Sequence, residues 1–190
     1  MIFLKGFWGI NNIYIKMSSY KTLLIPILNE ILVKEIGEAN IQPLEWTRVS
    51  PFKYKFWVDI NDYTEIVTVE FEHIKDDISK QFYFPPKYRN LDKVFNVGYV
   101  VSGSEVQFAK TDLKTLLTIL STIVDIIKYF IKNHSFIDGL YIRGTEKELG
   151  SGDTSKKSNL YKAFIQKQLQ NIPEFSSDSY KEGFILVKKK

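Results

Sequence analysis

Residues 52–71 read FKYKFWVDINDYTEIVTVEF, and the period of this stretch decides the fold class. Phe52, Tyr54, Phe56, Val58 and Ile60 alternate with Lys53, Lys55, Trp57 and Asp59. Successive side chains of a strand point to opposite faces, so this alternation marks a half-buried strand. Asn61-Asp62 suits a tight turn, and Tyr63–Phe71, rich in Val, Ile and Thr, supplies the return strand of a β-hairpin.

Beyond the hairpin, residues 73–93 contain Asp76-Asp77 and Pro85-Pro86 and read as a loop or irregular excursion. Val94–Ser102 resumes as a strand with Gly103 at its turn. Thr111 is the expected N-cap of a long helix reaching about Asn133, with Leu116, Leu117, Leu120, Ile123, Val124, Ile127, Phe130 and Ile131 on one broad apolar stripe. Its length suits a bilayer, but Lys114, Asp125 and Lys128 would each cost about 2.5–3.5 kcal/mol near the membrane centre. A core helix laid on a sheet is the expectation. Phe136–Arg143 then reads as a strand, about Ser155 to Gln170 as a second helix, and Phe184–Val187 as the last strand.

On the N-terminal side, Leu23, Leu24, Ile27, Leu28, Ile31, Leu32 and Ile36 fall at helical spacing before Gly37. The apolar start lacks the basic lead-in of a secretory signal, and Lys5, Asn11 and Asn12 interrupt it. Residues 1–16 are therefore read as an arm or extension and 17–190 as one domain. The whole describes an α+β fold, a mainly antiparallel sheet with two or three helices packed on one face.

Composition narrows the chemistry. Of 190 residues 44% are apolar and 25% charged, ordinary for a globular chain, and the 15% aromatic content implies a well-filled interior. The absence of cysteine excludes disulfides, thiolate nucleophiles and Cys-ligated metals, and a reducing cytoplasm is the expected compartment. The net charge of +4 divides unevenly: residues 1–95 carry 12 bases and 12 acids, residues 96–190 carry 14 and 10. Three of the latter bases are Lys188, Lys189 and Lys190, so much of the excess is a tail effect rather than a polyanion site.

His73 and His134 are the only histidines and stand apart from other ligand types, so metal binding is not expected. No G-x-S-x-G elbow is present, and the Asp76-Asp77 and Glu146/Glu148 pairs read as solvated loop charges. The most suggestive segment is Lys147 to Lys157, KELGSGDTSKK, leading from a strand to a helix start. Flexible Gly150 and Gly152, free backbone N–H groups, Lys156, Lys157 and Ser158 are what an anion or cofactor site uses. The loop resembles the pyrophosphate-binding loop of acetyl-CoA-dependent N-acetyltransferases, with Lys147 where that family has Gln or Arg. That resemblance implies an acyl-CoA-dependent transferase whose loop amides hold the pyrophosphate.

A second resemblance spans about residues 94–170. Val97-Gly-Tyr-Val-Val-Ser-Gly103, the helix Leu116–Ile131, the strand Leu140-Tyr-Ile-Arg143 and Ser158-Asn-Leu-Tyr161 look like segments of small uncharacterised proteins of tailed bacteriophages. It implies a phage accessory or virion-associated protein.

No catalytic set is coherent, and no cofactor is expected. Phe3, Phe7, Trp8, Phe82, Tyr83 and Phe84 lie outside the expected core elements, available to form an interface or to fold back on the core. The leading expectation is a non-catalytic protein acting through protein contacts, with a protein partner or a second copy and no membrane. The acyl-CoA transferase is the alternative, and nucleic-acid binding through Lys156, Lys157 and Lys188–Lys190 is a third.

Overall fold

The computed structural model describes residues 41–60, 62–76, 78, 80–81, 84–102, 112–143, 163–180 and 183–189. Seven strands form one sheet: β1 (Trp46–Ser50), β2 (Lys53–Ile60), β3 (Tyr63–His73), β4 (Val94–Val101), β5 (Gly139–Arg143), β6 (Phe175–Tyr180) and β7 (Gly183–Lys188). Their spatial order is β1-β2-β3-β4-β5-β7-β6. Every neighbouring pair is antiparallel except β4 and β5, which run parallel because helix α1 (Leu113–Asn133) carries the chain between them. A second helical stretch, 163–169, precedes β6 and buries Phe164, Ile165 and Leu169. The fold is α+β, as the alternation at 52–71 implied.

The hairpin forms where expected: β2 and β3 pair from Lys53↔Glu70 to Ile60↔Tyr63, and Asp62 turns the chain with φ 69°. Left-handed backbone of this kind is tolerated by Asp because its short polar side chain bonds locally. Register places Tyr54, Phe56 and Val58 on the same face as Val69, Val67 and Glu65, and all of these are buried.

That face receives α1. Phe130, fully buried, stacks on Phe71 of β3 with ring centroids 3.6 Å apart and meets Phe95 of β4 edge-on at 5.7 Å. The segment before β1 is fastened along the same helix by polar groups. Ser121 donates its hydroxyl to the Ile41 carbonyl (2.8 Å), Thr122 accepts from the Leu44 N–H (2.9 Å), and Asp125 accepts from Trp46 Nε1 (2.8 Å). Burial pushes the Tyr54 hydroxyl above its usual pKa, against the nearby Arg48 guanidinium.

Three expectations need correction and a fourth is resolved. The helix cap is Asp112, not Thr111: its carboxylate accepts from the Thr115 N–H (3.0 Å) and hydroxyl (2.6 Å), a geometry that a β-region residue one position later satisfies. The strand expected at 136–143 starts at Gly139, because Ser135 and Phe136 form the turn out of α1. β1 and β6 were not expected at all.

The fourth concerns 73–93, where of the two readings the irregular excursion holds and its described residues carry local structure. Lys80 N–H bonds to Asp76 O and Phe84 N–H to Lys80 O, a 3-10 turn follows at Pro86–Tyr88, and Ile74, Phe84 and Val94 join Tyr141, Ile185 and Val187 in a second core on the sheet face away from α1. Of the two alternatives open to Phe84, an interface or the core, it takes the core and is fully buried. Lys87 and Tyr88 tie this layer to β6 through Asp178, at 2.7 and 3.4 Å, and the Asp178 bond, then that of Tyr88, raises the Lys87 pKa. The helices expected at 20–36 and over 155–162, and the boundary at 16/17, lie outside the described residues.

The cap yields a pH prediction. Thr115 hydrogen bonds hold the Asp112 pKa below its ordinary 3.8, so their stabilisation is present above that value and is lost as pH falls through the depressed one. Asp112→Ala is expected to lower the melting temperature by a few degrees at pH 7, with the gap to wild type closing in strong acid. Melting curves across pH 2–7 check it; a gap independent of pH contradicts the charged cap.

Candidate interaction surface

One face of the sheet carries α1, and among the described residues the other is covered over only part of its width. Ile74, Phe84, Tyr88 and Leu91 cover the β4–β5–β7 end of the second face, where β7 is buried at Phe184, Ile185, Leu186 and Val187 alike. The β2–β3–β4 end of that face is open. There Trp57, 50% exposed, stands directly opposite Ile66, and Val100, 69% exposed, stands opposite Thr68, itself paired with Lys55. The ion pair Lys53–Glu70 borders this patch, and a Cβ added at Gly98 would meet nothing within 4 Å. A half-exposed tryptophan opposite Ile66, flanked on its own strand by Lys55 and Asp59, has the composition of an interface centre with its polar rim.

A cleft of about 360 Å³ opens at the other end of the molecule's helix layer. The last two turns of α1 contribute Lys128, Ile131 and Lys132; the following turn contributes His134, Ser135 and Ile137; Ile172, Glu174, Phe175 and Lys188 close it. His134 is 8% exposed and caps the C-terminal end of α1, with Nδ1 2.9 Å from the Phe130 carbonyl. A carbonyl only accepts, so Nδ1 carries the hydrogen. Lys188 Nζ donates to Ser135 O at 2.7 Å. His73 instead sits across the sheet with Nε2 2.9 Å from Asp92 O.

Among the described residues no group of three or more His, Asp and Glu is placed to hold a metal ion, and no helix is long and apolar enough to cross a membrane. The loop residues Lys147, Gly150, Gly152, Lys156, Lys157 and Ser158, together with Glu146 and Glu148, lie outside the described residues, as do Asp77, Phe3, Phe7, Trp8, Phe82 and Tyr83. Of the basic tail, Lys188 is drawn into the cleft and Lys189 donates to Pro173 O at 2.8 Å. Sequence reasoning missed both surfaces. Trp57 read only as an outward strand position, and the pair Lys128/Lys132, four apart on one helix face, was the sole legible trace of the cleft.

The architecture thus defines an α+β protein with a two-sided core and one open sheet patch. Comparisons with protein-family models, curated proteins and solved structures return no match.

Proposed function

We propose that this is a non-catalytic binding protein that docks a protein partner on the open β2–β3–β4 face. The observation that carries this reading is Trp57, half in water in the middle of an otherwise ordered strand and opposed by Ile66. Apolar area returns about 25 cal/mol per Å² when removed from water, and tryptophan is enriched among residues that dominate binding energy. The surface is a strand face, broad and shallow, which suits a protein surface better than a small substrate. The resemblance of residues 94–170 to small tailed-phage proteins supplies the setting: an accessory or virion-associated component, engaging a second copy of itself or another phage or host protein.

A photo-crosslinking amino acid at Val100, installed in the full chain in cells making this protein, tests the reading. A discrete adduct is expected, either twice the chain's mass or the chain plus one partner, and Trp57→Arg is expected to abolish it while the circular dichroism spectrum stays unchanged. An adduct indifferent to Trp57→Arg, or no adduct together with a monomeric mass by light scattering, refutes it.

A further inference from the structure

We propose that the cleft at the end of α1 binds a small organic phosphate, a phosphate monoester with an apolar or aromatic body. This is independent of the sheet face and rests on its own set of residues.

The first ground is unbalanced charge. Among the described residues Lys128, Lys132 and Lys188 line the cleft, with Glu174 as the one acid. Lys128 and Lys132 stand one helical turn apart on the same face, where like charges repel. Among the described residues neither ammonium has an ion-pair or hydrogen-bond partner, whereas Lys188 is held in the wall by Ser135 O. Lysines at a helix C-terminus ordinarily answer the helix dipole. Here that end is already served: His134 N–H bonds to Ile131 O, His134 Nδ1 to Phe130 O, and Asn133 Nδ2 to Tyr129 O. Lys188, moreover, comes from a strand.

The second ground is His134. Its Nδ1–H is committed to Phe130 O, which leaves Nε2 as the ring's remaining polar atom in a cleft-lining side chain that is more than nine-tenths buried. Phe130 at 4.3 Å, Phe136 at 5.6 Å and Phe52 at 5.7 Å fix the ring plane. With its hydrogen on Nδ1, Nε2 is an acceptor, able to take a hydrogen bond from the protonated oxygen of a phosphate monoester. Three ammonium groups and one acceptor nitrogen suit the three terminal oxygens of a phosphate monoester carrying one proton better than the two oxygens of a carboxylate.

The third ground is the floor. Ile131, Ile137 and Phe175, nearly buried, with Ile172, offer an apolar bed beneath the cationic rim. At about 360 Å³ the cleft suits a small organic body rather than a bare ion or a long polymer.

Phenyl phosphate and inorganic phosphate, titrated separately into the full chain at constant ionic strength, test the proposal by ¹⁵N and ³¹P NMR. Saturable one-to-one binding of phenyl phosphate is expected, with the His134 ring nitrogens shifting and affinity at least about tenfold above that for inorganic phosphate. Lys128→Gln and Lys132→Gln, both exposed positions, are each expected to weaken it by about tenfold with melting temperature unchanged. Equal affinity for the two probes overturns the organic-ester assignment. Non-saturable binding, or binding indifferent to both lysine variants, overturns the site itself.

Discussion

Phe130→Ala is expected to destabilise the protein by about 3–5 kcal/mol, the range found when a buried phenyl ring is replaced by a methyl group and the cavity only partly collapses. Phe130 is fully buried where α1 meets the sheet. Its ring stacks on Phe71, approaches Phe95, Tyr54 and Phe52 at 5.7, 6.5 and 6.1 Å, and lies 4.3 Å from His134. One truncation therefore removes contacts to three strands at once, including aromatic pairs worth about 0.5–1.5 kcal/mol each beyond their area. Against a total stability of about 5–15 kcal/mol the loss is large. Urea unfolding followed by circular dichroism checks it: with an m-value near 2 kcal/mol/M the midpoint falls by roughly 2 M. Phe130→Leu, which keeps most of the volume, is expected to cost only about 1 kcal/mol. If the two variants lose equally, cavity formation is not the cause and the role assigned to Phe130 is wrong.

Gly183→Ala is expected to cost about 2–4 kcal/mol through overpacking rather than cavity formation. Gly183 opens β7 opposite Arg143, and a Cβ there would stand 2.6 Å from the Ile142 carbonyl oxygen and 2.8 Å from two atoms of the Tyr141 ring. The first obstacle is backbone, so no rotamer change relieves it. The strand must move away from β5, the pair that joins the β6–β7 hairpin to the rest of the sheet. Gly98 supplies the control: with nothing within 4 Å of its missing Cβ, Gly98→Ala is expected to be neutral or stabilising by up to about 1 kcal/mol. Comparable losses at the two glycines would show that close approach at β5 is not what Gly183 provides. Combining Gly183→Ala with Tyr141→Leu is expected to recover part of the loss, because only the ring contact is then removed.

The elements that were legible in the sequence share one property: at least one face is buried along most of their length. β2 and β3 alternate, α1 repeats at 3.6 residues, and β7 is a continuous apolar run because both of its faces are covered. The missed strands lie at the two edges of the sheet. β6, Phe175-Ser-Ser-Asp-Ser-Tyr180, carries serine and aspartate where a central strand has aliphatic residues, and β1 is only five residues long with three exposed in succession. Edge strands bury too little to impress a period on their composition. The second core was hidden for a related reason: Ile74, Phe84, Tyr88 and Leu91 come from an irregular segment whose spacing follows neither helix nor strand.

The candidate surfaces divide in the same way. The lysines of the cleft are visible as residues, but Lys128 and Lys188 lie sixty positions apart, and nothing local says that β7 inserts between β5 and β6 to bring them together. Likewise, Trp57 occupies the outward phase of β2 by alternation alone, while its exposure depends on where the 74–91 layer stops.

By itself the sequence determined the hairpin, the central helix, the α+β class and the absence of thiol chemistry, because each follows from periodicity over neighbouring residues or from composition. Tertiary structure alone decided the strand order, the second core, the bare patch around Trp57 and the cationic cleft beside His134. Those depend on contacts between residues far apart in the chain, whose pairing is set by how buried faces fit together and leaves no periodic trace in the local sequence.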